Sequence, residues 1–217
     1  MHKEKYHSYR KHFVASDLHF NHKNISLYCP ESRGQFVECT GQSTDVNGVT
    51  TPTYNFLVDK MNETIIERWN SKVQPGDHVF ILGDVAMGRI ELAPALIKRL
   101  NGDKTLILGN HDRGLMKLPE VDELFIDIRD YTFLSVRGVG VAMSHYPMLS
   151  WDGMGHSSIM LHGHLHGSPY ITPMTGRRIK DIGIDTNDLY PYDLEAVVNE
   201  INQLPKMVFD HHSRSVG

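Results

Sequence analysis

The sequence predicts an α/β protein, and three observations carry that expectation. Short apolar runs at residues 13–15, 79–82 and 106–108 have the length of buried strands. Stretches with three- and four-residue apolar spacing, at 55–70 and 90–100, alternate with them, and strand–helix–strand alternation implies parallel pairing. Each strand-like run also ends in a polar segment rich in Asp, Asn or His, the end of the strand at which open α/β sheets bind ligands.

The first strand is expected at residues 12–16. Residues 26–53, rich in Gly, Thr, Ser and Asn and without repeat or low-complexity tract, read as a long loop insertion. A structureless connection of that length is usually a lid or a mobile segment, and a loop over the functional site is the expectation here. Asn55 is placed to cap a helix running to about residue 70, with Val58, Met61, Ile65 and Trp69 on one face. Pro75-Gly76-Asp77 turns the chain into the second strand, 79–82. A second helix, 90–100, puts Ala93, Leu96, Ile97 and Leu100 inward and closes at Asn101-Gly102, with Lys98 and Arg99 in its last turn as the helix dipole favours. The third strand, 105–108, follows directly. Beyond it the character changes: 131–136 and 139–143, joined by Arg137-Gly138, read as an antiparallel hairpin. Strands are expected at 158–161 and 180–184, and Asp193 caps a last helix, 194–204. The whole, residues 1–217, is expected to be one domain with a loosely held tail from residue 206.

The composition sets bounds. A formal charge of −4 gives no global attraction to nucleic acid or anionic lipid, and the basic stretch 3–11 reads as a solvated end. Two cysteines, Cys29 and Cys39, form no Cys-x-x-Cys pair and are expected as free thiols in a reducing compartment. The charged start lacks an apolar segment of the secretory kind, and no run reaches the roughly 20 apolar residues of a spanning helix. A soluble, cytoplasmic protein with no membrane partner is the expectation. Of the 14 histidines, the clustered ones matter most.

Five polar segments, in order, could supply oxygen and nitrogen ligands to two metal ions. They are Asp17-Leu18-His19, Gly83-Asp84, Gly109-Asn110-His111-Asp112, Ser144-His145 and Gly163-His164-Leu165-His166. None contains a thiolate, which argues against a structural zinc site. In an extended chain, the one-residue gaps in Asp17-Leu18-His19 and His164-Leu165-His166 would put both side chains on one side. Asn110 reads as a turn residue suited to positive φ.

This series resembles that of the calcineurin-like metallophosphoesterase family: D-x-H, G-D, G-N-H-D, a lone H and G-H-x-H, all present between Asp17 and His166. Ser16 to Phe20, followed by His22-Lys23-Asn24-Ile25, is similar to a subgroup of small bacterial and phage phosphoesterases, with Asn21 where a glycine commonly stands. The resemblance implies a four-layer αββα sandwich with the site on loops at one edge. It implies one divalent ion held by Asp17, His19, Asp84 and His166 and a second held by Asp84, Asn110, His145 and His164. Manganese is the first choice of ion, with iron, zinc, cobalt and nickel as alternatives. The implied function is hydrolysis of a phosphomonoester or phosphodiester, a phosphatase or phosphodiesterase activity, by in-line attack of a hydroxide bridging two cations about 3.5–4 Å apart. His111 would serve the leaving group, and Asp112 would orient its ring.

Around this set, His162 reads as a packing neighbour, His22 as a loop residue able to reach a phosphate, and His156, His211 and His212 as surface residues. Arg113, Arg177 and Arg178 are kept off the site. The expected partner is a small phosphoester such as a nucleotide, and residues 26–53 are expected to shape substrate choice while sparing the metals. The rival functions are a nuclease or cyclic-nucleotide phosphodiesterase with the same site, for which a basic or aromatic track is wanting. A non-catalytic protein-binding scaffold is the third; it would predict degraded ligands, and none is missing.

Overall fold

The structure, a computed structural model, describes residues 10–168 and 177–205; most of the basic start and the whole tail from residue 206, His211 and His212 included, lie outside the described residues. In chain order, β1 (His12–Ala15) leads into two single-turn helices, α1 (Ile25–Tyr28) and α2 (Pro30–Arg33), and a 3-10 turn, Gly34–Phe36. A hairpin of β2 (Val37–Thr44) and β3 (Thr50–Phe56) follows, then α3 (Val58–Lys72), β4 (His78–Ile81), α4 (Ala93–Ile97), β5 (Asp103–Ile107) and α5 (Val121–Leu124). The chain continues through β6 (Asp127–Arg129), β7 (Thr132–Val136), β8 (Val139–Met143), β9 (Ile159–His162), β10 (Ile179–Asp181) and β11 (Tyr192–Asp193) to α6 (Leu194–Asn202).

Two mixed sheets organise these elements. The first has the order β11-β1-β4-β5-β6, parallel except for β11. The second has the order β10-β9-β8-β7, in which only the predicted hairpin β7–β8 is antiparallel. Period-two alternation sorts their side chains cleanly. Phe13, Ala15, Val79, Ile81 and Leu106 face Met61, Ile65 and Trp69 of α3. Val14, Phe80, Leu82 and Ile107 turn the other way, onto Val141, Met143, Ile159 and Leu161 of the second sheet. The two sheets therefore share one apolar layer, into whose margin α6 inserts Leu194, Val197, Val198 and Ile201.

The four-layer arrangement is matched in part. On the far face of the second sheet, Ala142 and Met160 are covered by Trp151 together with Met148 and Met154, with no α-helix there among the described residues. Arg178, set aside as a surface residue, is buried and donates to the Ile201, Asn202 and Leu204 carbonyls at the end of α6.

Three local expectations are corrected. Residues 26–53 are not a structureless loop. Asp45 nucleates the hairpin by accepting from the Asn47 and Val49 N–H groups (2.8 and 2.9 Å), and Thr44 pairs with Thr50 across it. Nearly every residue of both strands is exposed or half-exposed, so no hydrophobic alternation announces them. Asn55 lies in β3 opposite Glu38, and α3 starts at Val58 with no side-chain cap. The second helix shrinks to a 3-10 turn, Ile90–Leu92, plus α4, with Pro94 in its first turn. Asp193, by contrast, caps α6 as expected, accepting from the Ala196 N–H at 3.0 Å.

His78 gives the fold a pH dependence. Its imidazole is buried, 4.5 Å from the Phe80 ring and 2.8 Å from the Thr105 hydroxyl. Burial, reinforced by Arg10 and His12, lowers its pKa from 6.5 to about 3. As pH falls through 6.5 the unfolded chain takes up a proton that the folded chain refuses until about pH 3, so stability drains across that window. His78→Gln is expected to lose less stability than the parent between those limits, read by urea denaturation at stepped pH.

Candidate metal centre

All five polar segments follow strand ends, and the backbone ties them into one cluster. Asp17, His19 and Phe20 donate their N–H groups to the carbonyls of Gly83, Asp84 and Val85, each at 3.0 Å, so the loops after β1 and β4 run zipped together. Ser16 Oγ donates to the Leu82 carbonyl (2.6 Å), and the Gly163 N–H to the His145 carbonyl (3.0 Å). The His164 N–H donates to Asp17 Oδ2 at 2.9 Å, joining the first loop to the last. Two glycines are demanded by closeness: a Cβ on Gly109 would run into the Asp84 carboxylate, and one on Gly163 into Ser16 and Asp17.

The convergence of ligands does not come from extended chain. Asp17 (φ 59°), His19 (49°), Asp84 (54°), His164 (72°) and His166 (51°) all sit in the left-handed region, whereas Asn110 is not among the positive-φ residues. That makes five of the seven candidate ligands, in a conformation that costs a side-chain-bearing residue about 1–2 kcal/mol. Left-handed turns at alternate positions aim the paired side chains inward. His162 stays at the end of β9, buried, with Nδ1 against the Gly163 carbonyl, and takes no part in the convergence.

The donor atoms of six candidate ligands gather into two groups, and the Asp84 carboxylate of the second also faces His19 of the first. Asp17, His19 and His166 bring one ligand atom each within 4.8 Å of one another, and so do Asp84, His145 and His164. Asp84 Oδ2 lies 3.7 Å from His19 Nε2, while its Oδ1 lies 3.6 Å from His145 Nε2. These gaps are too long for hydrogen bonds. Asp17 Oδ1 and His19 Nε2 are buried without a hydrogen-bond partner, an expensive state for polar atoms. His145 Nδ1 donates to the Leu82 carbonyl at 2.7 Å, and its Nε2 faces Asn110 Oδ1 at 3.0 Å. In the tautomer protonated at Nδ1 alone, Nε2 and Asn110 Oδ1 are both acceptors, a pair that a cation between them would satisfy. Burial pushes the Asp17 carboxyl up to about 6, against the pull of His166 and His145, and drives His19 well below its ordinary value.

His111 stands at the rim, partly exposed, its Nε2 3.9 Å from Asp84 Oδ2 and its backbone N–H donating to Asp84 Oδ1 at 2.9 Å. Asp112 does not orient it. Fully buried, Asp112 accepts from the N–H groups of Asp84 (3.0 Å), Val85 (2.9 Å) and Gly109 (2.8 Å), so its carboxylate fixes the Asp84 turn instead. His22, considered only for phosphate contact, packs its ring on His19 with Nδ1 3.3 Å from His19 Nδ1. Burial, then His111 and Arg33, lowers its pKa to about 4.

Sequence reasoning missed the frame behind the cluster. His166 Nδ1 donates to Asp185 Oδ2 at 2.8 Å, and Asp185 is in turn gripped by Arg33 through Nε (2.7 Å) and Nη2 (3.1 Å). Arg33, wholly buried, also donates to the carbonyls of Asp17 (2.7 Å) and Leu18 (3.0 Å). Against the cost of burial, the Arg33 charge and these hydrogen bonds hold the Asp185 carboxyl far below its usual range. Asp185 follows β10 just as Asp84 follows β4, a positional signal that could have exposed it. Arg33 has none, and it comes from the segment expected to leave the metal ligands alone. Cys29 and Cys39 are free, and Cys29 lies beside His166 and Asp185.

The fold and the site define a mixed α/β protein with candidate metal-binding groups, compatible with a metal-dependent hydrolase. The chain belongs to the family of the Gene 66 protein of Mycobacterium phage D29, to which it is 34% identical over 167 residues, 64% of this chain and 83% of that protein. It is 28% identical over 203 residues to an uncharacterized protein of Methanocaldococcus jannaschii, covering 90% of this chain and 94% of that one. A protein of unknown function from Aquifex aeolicus shares the fold, with a TM-score of 0.63 at 20% identity over 88% of this chain and 99% of the other. The nuclease MPE of Pseudomonas putida superposes more loosely, with a TM-score of 0.42 at 16% identity over 73% of this chain and 62% of that one, too distant to bear on function. No protein-family model matches the chain. Among the described residues, no helix is long and apolar enough to cross a membrane.

Arg33→Met would take the guanidinium from the buried Asp185 carboxylate, leaving it only His166 and Ser32, and strip two loop carbonyls of their donor. The expected loss is about 3–5 kcal/mol of unfolding free energy, read by urea denaturation; a variant as stable as the parent would contradict the role given to this residue.

Proposed function

We propose that the chain is a metal-dependent phosphoesterase that binds two divalent cations. Asp17, His19, Asp84 and His166 would hold one, and Asp84, Asn110, His145 and His164 the other, for hydrolysis of a phosphomonoester or phosphodiester. The observation that carries this reading is the two-sided Asp84, whose oxygens face His19 and His145 separately at 3.7 and 3.6 Å. The partnerless Asp17 Oδ1 and His19 Nε2 and the left-handed backbone at five candidate ligands support it. So does the resemblance of the motif series to the calcineurin-like metallophosphoesterases, with the four-layer sandwich that this family implies.

A nitrogen and oxygen donor set without thiolate suits hard or borderline ions. Manganese is our first choice; affinity order alone favours later metals, and supply in the cell decides. Bound as a pair, such ions stabilise phosphoryl charge and activate water. The remaining work belongs to side chains. His111, at the rim, can hold a proton at Nε2 and give it to the departing oxygen. Asp112 keeps Asp84 in register through three backbone N–H groups. Asp185 fixes the His166 tautomer so that Nε2 faces Asp17, 3.8 Å from Oδ1, the kind of outer support on which metal affinity depends.

Calorimetric titration of metal-free protein with manganese tests this directly. Two ions per chain are expected for the parent and marked weakening at both sites for Asp84→Asn. His111→Ala is expected to keep both ions yet hydrolyse p-nitrophenyl phosphate or its bis-ester about 10²–10⁴-fold more slowly. Parent protein that takes up no stoichiometric ion, or Asp84→Asn protein that binds like the parent, would sink the reading.

A further inference from the structure

The loops that carry the candidate ligands also wall a cavity that the phosphoesterase reading does not use. It measures about 450 Å³, within the range of small-molecule sites, and is lined by His22, Lys23, Asn24, Val58, Met87 and Arg89 among others. His22 joins it to the candidate centre, since its ring rests on His19. The walls are braced. Asn21 accepts from Asn62 Nδ2 at 2.9 Å and donates through its own Nδ2 to the Arg89 carbonyl at 3.1 Å, and the Met87 N–H donates to the Phe20 carbonyl at 2.9 Å. A braced cavity spares a ligand part of the ordering cost.

Its chemistry is two-sided. Val58 and Met87 give an apolar wall, and a thioether packs well against a flat ring. The His22 ring, edged by Tyr28 at 6.2 Å, adds an aromatic surface, and the Asn24 amide can meet polar ring edges. Lys23 and Arg89 bring two positive charges with no carboxylate among the lining residues, and among the described residues neither forms an ion pair. The Lys23 ammonium instead lies 5.8 Å from the Phe56 ring centre.

We propose that this cavity binds the nucleoside end of a nucleotide substrate, with the base against Val58 and Met87 and a non-scissile phosphate on Lys23 and Arg89. The proposal rests on the phosphoesterase reading only for placing the scissile phosphate at the neighbouring centre. Adenosine 5′-diphosphate, adenosine and inorganic phosphate are titrated separately into the metal-free, full-length chain carrying ¹³C-methyl methionine, and the Met87 methyl resonance is followed. Adenosine 5′-diphosphate is expected to shift it, adenosine to shift it with weaker affinity, and inorganic phosphate to leave it in place. Replacing Lys23 and Arg89 together by Ala should weaken adenosine 5′-diphosphate binding about tenfold or more, the equivalent of about 1.4 kcal/mol. Val58→Trp, which fills the cavity, should abolish the shift in a protein that melts like the parent. A Met87 signal unmoved by adenosine 5′-diphosphate, or binding unchanged in both variants, overturns the proposal. Hydrolysis of small phosphoesters without any Met87 shift removes the nucleoside site alone. A Met87 shift in protein inert toward every phosphoester removes the catalytic reading and leaves the binding site standing.

Discussion

One carboxylate, Asp84, has to face two sets of imidazoles at once, and most of the surrounding structure serves that requirement. A buried charge so placed is costly unless every other polar atom near it is spoken for. The chain meets this with backbone: Asp84's own N–H, with those of Val85 and Gly109, points at Asp112, while the His111 N–H points at Asp84 itself. The absence of a side chain at Gly109 lets the third loop approach this closely. Four strand ends in two sheets then bring the histidines in from either side.

A second carboxylate system stands behind the first and has a different character. Around Asp84 the groups face one another across gaps of 3.6–3.9 Å, whereas around Asp185 they close to hydrogen-bond distance. The first is an open arrangement and the second a locked one. Burying the Arg33–Asp185 pair is not obviously favourable for folding by itself, since the desolvation of both ions offsets their attraction. What it does is orient His166 and hold the Asp17–Leu18 backbone, so its value lies in geometry.

How much of this was legible depended on whether a residue's partners left a trace in local pattern. Strands β1, β4, β5, β8 and β9 were legible because each alternates between two apolar layers, and the five polar segments were legible because they end those strands. The hairpin of β2 and β3 was not, because its largely exposed faces carry no hydrophobic period, although the Asn47-Gly48 turn was there to be noticed. The alternate spacing of Asp17 with His19 and of His164 with His166 suggested extended chain, whereas all four residues sit in left-handed backbone. Asp112 was misjudged because adjacency in sequence suggested His111 as its partner, whereas the tight turn carries its carboxylate back onto amides. Arg33 left no trace, since a lone arginine in an irregular stretch looks like any solvated one.

The Arg33–Asp185 contact joins residues 152 positions apart. Asp17 and His19 follow β1, but the acid that steadies their neighbour His166 lies far along the chain, after β10. Without Asp185, His166 has no acid to fix its ring, and Arg33 has no buried counter-ion. The arrangement around Asp17 is accordingly completed by contacts of long sequence separation, whose loop-closure cost must be met before they reward the fold.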